Sequence, residues 1–368
     1  MTSASTAKLH LLQRVIDRYS CVMASSSLSV VLLLCLATVA SAQLSTTFYD
    51  KSCPLALEKI KTGVETAINS DRRMAASLLR LHFHDCFVQA MTNERAYVAW
   101  LRTHMQGCDA SVLLNETSVG GNERGAFGNV GSLRGFEVIE QIKKDVEAVC
   151  KKPYSNNPVV SCADILAVAA RDSVVALGGP TWEVQLGRKD SANATVALAN
   201  ANLPGPFLDV AGLKASFAGK GLNLTDMVAL SGGHTIGMAQ CKNFRSRLYT
   251  EPNIDSTFQD KLNDTCTPSG NDNSLAPLDD TATPPTQDMF DNAYFLNLQS
   301  NKGLLHSDQV LYNATATSGD TEVIVNSFAS AQAVFFKAFA SAMVKMSNLG
   351  PSPGSPQGQV RKECSIPN

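Results

Sequence analysis

The chain has 368 residues, of which 44% are hydrophobic and 17% are charged. Its 31 lysines and arginines nearly balance its 33 aspartates and glutamates, which leaves a formal net charge of −2 at pH 7. Such near-neutrality argues against nucleic acid as a partner, because nucleic-acid-binding proteins present a basic surface. Length alone allows either one large domain or two.

An export signal is predicted near the N-terminus. The apolar run Val30–Leu34 is followed by Ala40-Ser41-Ala42, which is a typical small-residue cleavage site before Gln43. A membrane anchor is the alternative interpretation, but the apolar run is too short to span a bilayer comfortably.

The segment before this signal is unusually long. Residues 1–22 precede Met23, which is the expected functional start. We predict a leader over 1–42 and a mature domain over 43–368 that has no membrane span. Removing the leader takes away three basic residues and one acidic residue, so the formal charge changes from −2 to −4.

Cysteine usage fits an exported chain. Two of the ten cysteines lie in the leader, and the even number that remains indicates four disulfides. Zinc binding is the competing use, but no CxxC pair and no HxxxH motif accompanies these cysteines. Spacing leaves the pairing open. The eight cysteines are Cys53, Cys86, Cys108, Cys150, Cys162, Cys241, Cys266 and Cys364.

Surface modification is also expected. Five Asn-X-Ser/Thr sequons are glycosylation candidates in an exported protein. The residues after Cys364 carry no obvious retention tail, which favours the cell wall or apoplast over the vacuole. The sequons begin at Asn115, Asn193, Asn223, Asn263 and Asn313.

Helical patterns dominate the mature chain. Apolar residues recur at spacings of three and four, and loop signals such as Gly178-Gly179-Pro180 separate the segments. No alternating strand pattern is long enough to build a sheet, so we predict an all-α fold. The predicted helices cover Leu55–Ile68, Arg73–Val88, Leu133–Val149, Cys162–Leu177, Val210–Lys220, Thr225–Leu248 and Phe328–Leu349.

The second predicted helix is apolar but contains an arginine and two histidines. Arg80 and His84 lie one turn apart on one face, whereas His82 points about 160° away from His84. Heterolysis of a peroxide bond suits the pair, because neutral His84 can move a proton between the two oxygens while Arg80 stabilises the developing charge. A buried arginine and a structural histidine are the alternative. Since neither residue is an oxidant, a cofactor is required.

A second histidine lies beside glycines in Leu230-Ser231-Gly232-Gly233-His234-Thr235-Ile236-Gly237. The helical pattern around it begins at Thr225, a plausible N-cap. Glycine destabilises a helix, so close approach by a bulky group is a reason for these glycines. A flat macrocycle with His234 as axial ligand would need such room. The alternative is a histidine satisfied within a helix–helix contact.

Taken together, these segments resemble the class III plant peroxidases, which are secreted haem enzymes related to the horseradish enzyme. The resemblance extends over nearly all of 43–368. Its markers are Phe48-Tyr49-Asp50 with Cys53-Pro54, Arg80-Leu81-His82-Phe83-His84-Asp85-Cys86, Val160-Ser161-Cys162-Ala163-Asp164, Leu186-Gly187-Arg188-Lys189-Asp190, Leu230 to Gly237, and Gly303-Leu304-Leu305 with Ser307-Asp308-Gln309.

The resemblance implies a haem peroxidase fold, with haem b held between a distal and a proximal helical half. Arg80, Phe83 and His84 would form the distal pocket, and Asn129 would hydrogen-bond His84 to keep it basic. The implied disulfides are Cys53–Cys150, Cys86–Cys108, Cys162–Cys364 and Cys241–Cys266.

On the proximal side, the resemblance implies that His234 is the axial iron ligand. Asp308 would be its hydrogen-bond partner and would make the imidazole more electron-donating. Pro204 would help to bind aromatic donors through its carbonyl.

The resemblance also implies two calcium ions, for which oxygen-rich positions are chemically suitable. The matching distal positions are Asp85, Val88, Gly107, Asp109 and Ser111. The matching proximal positions are Thr235, Asp280, Thr283 and Asp291.

The sequence departs from the family pattern at two places. An insert, 90–106, interrupts the expected distal calcium loop between Val88 and Gly107. We favour a retained intron translated in frame over a genuine surface loop, although long loops cost little closure entropy. The segment 283–291 is about three residues longer than the family pattern, which leaves Thr283 and Thr286 as alternative calcium ligands.

The predicted function is that of a monomeric haem peroxidase, which reduces hydrogen peroxide to water and oxidises small aromatic donors, chiefly phenols, in one-electron steps. The alternative is a secreted haem-binding glycoprotein whose turnover is impaired because the 90–106 insert distorts the distal helix end. A non-haem metal hydrolase is disfavoured, because no second histidine or carboxylate lies near His234 at ligand spacing.

Overall fold

The computed structural model describes residues 44–88, 107–115, 122–150, 156–280, 288–312, 319–349 and 358–368. The predicted leader, the 90–106 insert, Thr283 and Thr286 lie outside these residues. The helices are α1 (Ala56–Ser70), α2 (Met74–Phe87), α3 (Phe136–Cys150), α4 (Cys162–Ala176), α5 (Val196–Asn202), α6 (Val210–Ala218), α7 (Leu224–Ser231), α8 (Arg245–Thr250), α9 (Ser256–Asn263), α10 (Ala293–Gln299), α11 (His306–Gln309), α12 (Gly319–Ser330) and α13 (Gln332–Ser347).

The core is built around α4, whose residues are almost all buried. Ser161 begins this helix, because its side-chain oxygen accepts a hydrogen bond from the Asp164 backbone nitrogen at 3.2 Å. Helices α1 and α2 both pack against α4. They do so through apolar stripes at helical spacing. Residues Thr46–Asn368 form one compact unit.

The predicted helix Thr225–Leu248 is wrong as a continuous element. Helix α7 begins after Asn223, whose side chain forms a capping box with Asp226, and it ends at Ser231. A 3-10 turn, Gly232–Thr235, follows and carries His234. Gly237 then adopts a φ of 98°, which a helix cannot accommodate.

A short antiparallel sheet lies beyond this break, although the sequence shows no pattern for one. Strand β1 (Met238–Gln240) pairs with β2 (Leu275–Pro277), and Ala239 lies opposite Ala276. Two strands of three residues are too short for an alternating pattern to reveal.

The predicted C-terminal helix Phe328–Leu349 is likewise two helices. Ala331 has extended backbone angles between α12 and α13, and the two helices meet at a bend of 119°. Among the described residues, no single helix is long and apolar enough to cross a membrane. Helices α12 and α13 reach that length and apolar composition only when they are counted together.

The disulfide pairing confirms the prediction from the family resemblance. Each bond joins segments that are distant in sequence, and the Cys86–Cys108 bond closes the loop that contains the insert. The four bonds are Cys53–Cys150, Cys86–Cys108, Cys162–Cys364 and Cys241–Cys266.

Candidate active site

The predicted distal residues lie on one face of α2. His84 is 7% exposed, and its Nδ1 lies 2.5 Å from Asn129 Oδ1. The Asn129 amide nitrogen donates to the backbone oxygen of Glu123 at 2.8 Å, so Oδ1 must accept from the histidine. His84 therefore carries its proton on Nδ1, which leaves Nε2 available as a base.

The environment keeps His84 neutral. Burial lowers its pKa well below the ordinary value, and the charge of Arg80 lowers the pKa further, while the Asn129 hydrogen bond partly opposes both effects. A neutral imidazole can take up a proton from a substrate at working pH.

Arg80 is held by the turn that also carries Asn129. Its guanidinium donates to the backbone oxygens of Gly128 at 2.7 Å and Ser132 at 3.2 Å, and to the Ser132 hydroxyl at 3.2 Å. Among the described residues, these are its hydrogen bonds, so Nε–H and one Nη1–H of Arg80 are available to an anion. Burial lowers the pKa of Arg80 to about 10, so it remains charged at neutral pH.

Phe83 completes the distal face of α2. Its ring stacks on Phe87 with centroids 4.2 Å apart and meets His84 edge to face at 5.9 Å. These contacts set the position of the His84 ring from one side while Asn129 sets it from the other.

His82 lies elsewhere, as the helical geometry predicts. It is fully buried, and its Nε2 lies 2.8 Å from the Ser347 hydroxyl on α13. His82 nitrogens also approach the sulfurs of Cys86 and Cys108. Because those two sulfurs are bonded to each other, they supply no thiolate to a metal there.

The proximal histidine is positioned by a carboxylate. His234 Nδ1 lies 2.8 Å from Asp308 Oδ1, which also accepts from the Tyr294 hydroxyl at 3.1 Å. Burial lowers the pKa of His234, but the charge and hydrogen bond of Asp308 outweigh this effect, so its pKa lies above the ordinary value. The fixed Nδ1 leaves Nε2 as the free ligand atom.

The residues present fit a haem between the two histidines. The His234 side chain is 39% exposed, whereas that of Asp308 is almost fully buried, so the imidazole has room for a further ligand. The charge of Arg80 lowers the pKa of both His84 and His234, which places the guanidinium within electrostatic reach of each histidine.

The two glycines before His234 differ in their surroundings. A Cβ on Gly232 would lie 2.6 Å from the Phe335 ring and 2.7 Å from the Phe295 ring, so aromatic packing requires this glycine. A Cβ on Gly233 would come no nearer than 3.7 Å to the described residues, which is ordinary contact. The expectation that both glycines make room for a cofactor is wrong for Gly232.

The predicted distal calcium residues lie around one small cavity. Val88, Gly107, Asp109 and Ser111 line it. The cavity volume is about 10 Å³, which suits one ion. Asp85 lies beside them, since its carboxylate accepts from the backbone nitrogens of 110 and 112. Residues on both sides of the insert therefore come together.

Glu123, which was not predicted, also lines this cavity. It is 1% exposed, and its Oε2 lacks a hydrogen-bond partner among the described residues. Burial raises the pKa of Asp85 to about 7 and those of Asp109 and Glu123 well above their ordinary values, and neighbouring carboxylates raise the latter two further. This donor set fits a hard cation such as calcium.

The predicted proximal calcium residues are only partly together. The Thr235 hydroxyl lies 2.9 Å from Asp291 Oδ1. The side chain of Asp280 instead contacts Lys261 and Lys302, which neutralise it. Its neighbour Asp279, which was not predicted, is 1% exposed and accepts from an α10 asparagine.

The predicted donor position lies in a loop beside the distal turn. Pro204 follows α5, and two exposed phenylalanines lie near this loop. Phe207 is three residues further along the chain, and the Phe127 backbone nitrogen donates to Asn200 Oδ1 on α5 at 2.8 Å. Phe207 is 57% exposed, and Phe127, next to Gly128, is 87% exposed. The loop is tied to the proximal side, since the Ser307 backbone nitrogen donates to the Pro206 oxygen at 3.0 Å.

A buried lysine holds the start of the same loop. Lys220 is 6% exposed, and its Nζ donates to Asn202 Oδ1 at 2.6 Å, at the last residue of α5. Burial lowers the pKa of Lys220 to about 8. The ammonium group therefore anchors the residue that precedes Leu203 and Pro204.

Comparison with known proteins agrees with this geometry. A family model described as peroxidase matches residues 60–331. Peroxidase 22.3 of Oryza sativa subsp. japonica is 56% identical over 348 residues, which cover 94% of this chain and 98% of that protein. Peroxidase 70 of Zea mays is 54% identical over 94% of this chain and 100% of its own. The chain belongs to the class III plant peroxidases.

Membership of this family establishes the general reaction that the protein catalyses. Peroxidase 4 of Vitis vinifera, at 48% identity over 94% of this chain, shows that the similarity extends beyond the grasses. The protein is a haem peroxidase, an enzyme that uses hydrogen peroxide to oxidise donor substrates, and its helical fold is the one predicted.

Proposed function

We propose that the protein is a secreted, monomeric peroxidase that contains haem b and two calcium ions and oxidises small phenolic donors. The observation that carries this proposal is the pair of histidines: His84 is held neutral with Nε2 free, and His234 is fixed through Nδ1 by Asp308. When bound, haem would supply the electrons that reduce the peroxide, which these side chains cannot provide, and the donors would later restore them.

The distal residues would manage the proton and the charge. His84 Nε2 takes the proton from one peroxide oxygen and returns it to the other, so that water leaves. The free N–H groups of Arg80 stabilise the negative charge that develops on the departing oxygen. Asn129 keeps the imidazole in the correct tautomer throughout.

The donor would bind at the exposed aromatic rings by the Pro204 loop. Phe127 and Phe207 provide flat apolar surfaces for a phenol, and the Pro204 carbonyl provides an acceptor for its hydroxyl. We assign no nucleic-acid or membrane partner to this site.

The calcium ions would occupy the two oxygen-rich sites. The distal ion would be held by Asp85, Val88, Gly107, Asp109 and Ser111. The proximal ion would be held by Thr235, Asp291 and a residue of 281–287, either Thr283 or Thr286. Asp279 replaces Asp280 in this proposal, because two lysines neutralise Asp280.

Four disulfides and the predicted leader support export to the cell wall. Size-exclusion chromatography with light scattering tests the monomer, and microscopy of a fluorescent fusion in plant tissue tests the location. A dimeric mass or an intracellular signal would refute these parts of the proposal.

The decisive experiment addresses the 90–106 insert. The haem-reconstituted full chain and a form that lacks 90–106 are assayed for turnover with peroxide and a generic phenol. We expect both to turn over, because the distal residues come together on either side of the insert. A His84→Leu variant of each should lose about 10²- to 10⁴-fold in peroxide reaction rate.

Turnover confined to the shortened form would support the alternative instead. In that case the chain as written would be a haem-binding glycoprotein with impaired turnover, and the insert would be a gene-model error or an inactivating change. Equal haem binding by both forms would separate this result from a failure to fold.

A further inference from the structure

Two residues of the distal cavity are not among the predicted calcium ligands and come from a different part of the chain. Ser191 and Asn193 line it together with Asp109, Ser111 and Glu123. Among the described residues, the buried Oε2 of Glu123 has no hydrogen-bond partner, which favours a cation or a water in this cavity.

The turn that carries Asn193 is locked to the cavity wall. The backbone nitrogen of Ser191 donates to the Asp109 oxygen at 2.8 Å. The Ser191 hydroxyl donates to the backbone oxygen of Asn193 at 2.8 Å and accepts from the backbone nitrogen of Asn193 at 3.2 Å. Since Ser191 is 5% exposed, Asn193 keeps a fixed position relative to Asp109.

Asn193 is also the first residue of a glycosylation sequon, but the other two residues of this sequon have structural roles in the folded chain. Ala194 is fully buried, and the Thr195 hydroxyl accepts from the Leu198 nitrogen as the N-cap of α5. An attached glycan is bulky and needs an open surface.

Two other sequons present the opposite situation. Asn115 and Asn223 are both exposed. Asn223 uses its Oδ1 to cap α7 through the Asp226 nitrogen, which leaves its Nδ2 directed away from that bond for a glycan.

We infer that Asn193 belongs to the distal calcium site and is not a glycan acceptor: its side-chain carboxamide would supply an oxygen to the cation, so a glycan on Asn193 and a calcium ion in the cavity would exclude each other. Neutral carbonyl oxygens are normal calcium ligands. This inference rests on the distal calcium site of the proposed function and adds a residue to it.

Glycan mapping gives the first test. The full-length protein is secreted from plant cells, purified with calcium, and deglycosylated enzymatically in heavy-oxygen water before mass spectrometry. We expect the isotope label at Asn115 and Asn223 and none at Asn193. A labelled Asn193 in protein that retains its distal calcium would overturn the inference.

Calcium titration gives the second test. Metal-free protein is titrated with calcium chloride in a calorimeter, and Asp109→Asn identifies the distal binding event. Asn193→Ala should weaken that event about tenfold, as is typical for residues that support a metal site. Asn193→Asp, which keeps the oxygen but removes the sequon, should restore the affinity.

Thr195→Asn is the matched control. It removes the sequon while retaining Asn193 and an asparagine as helix cap, so it should bind calcium like the wild type. If the wild type shows no event sensitive to Asp109→Asn, the calcium site itself is refuted. If that event exists and Asn193→Ala leaves it unchanged, only the role of Asn193 is refuted.

Discussion

Acid should destabilise this protein through a histidine that takes no part in catalysis. His82 is fully buried, and burial together with the charge of Arg188 lowers its pKa to about 3, from 6.5 in an unfolded chain. Below pH 6.5 the unfolded state binds a proton that the folded state refuses. Stability is therefore lost as the pH falls from 6.5 towards 3.

The size of this effect follows from the two pKa values. Each pH unit between them is worth about 1.4 kcal/mol, so His82 alone removes about 3 kcal/mol of unfolding free energy between pH 8 and pH 4.5. Replacing it by glutamine removes the titration while keeping a polar side chain near Ser347. The variant should therefore lose about 3 kcal/mol less unfolding free energy than the wild type on acidification.

Urea unfolding at pH 8 and pH 4.5, at fixed calcium and haem loading, measures this difference. Other titrating groups act equally in both proteins, so they cancel in the comparison. Parallel loss of stability in the wild type and His82→Gln would refute the buried, neutral histidine. Peroxidase turnover should survive the substitution, because His82 contacts α13 and not the distal pocket.

Three further predictions follow from the site. Gly232→Ala should lower the unfolding free energy by about 1–3 kcal/mol in urea denaturation, because its Cβ would overlap two phenylalanine rings, whereas Gly233→Ala should be nearly neutral. Lys220→Met should raise KM for a phenol several-fold, because Asn202, at the start of the Pro204 loop, loses its hydrogen bond to Lys220. The stopped-flow rate with peroxide should not change, and Lys220→Arg should restore KM. Asp308→Asn should raise the haem midpoint potential in spectroelectrochemistry, because the proximal imidazole becomes less electron-donating; an unchanged potential would contradict this role.

The spacing of residues along the chain was sufficient to predict most of the helices and to place Arg80 and His84 on one helix face. Arg80 and His84 are four residues apart in an apolar helical pattern, and α-helical geometry alone puts them on one face. The same geometry directed His82 away from them, and it does contact α13 instead. Five of the seven predicted helices were correct within a few residues for the same reason, since burial of one face imposes a helical period.

Breaks inside apolar segments were beyond such reasoning. Both Thr225–Leu248 and Phe328–Leu349 keep a helical apolar period across the points where the helices end. The chain turns there because of contacts made elsewhere, such as the phenylalanine rings against Gly232. A periodic pattern records burial but not the direction from which a neighbour approaches.

The sequence by itself therefore determined the helical class and the shared helix face of Arg80 and His84, because these depend on residues within one turn of each other. Tertiary structure alone revealed Glu123 and Asn193 at the distal cavity and separated Asp279 from Asp280. Asp308 lies 74 residues from His234, and only family resemblance had indicated their contact. Such partners meet through packing between distant segments, for which local periodicity carries no information.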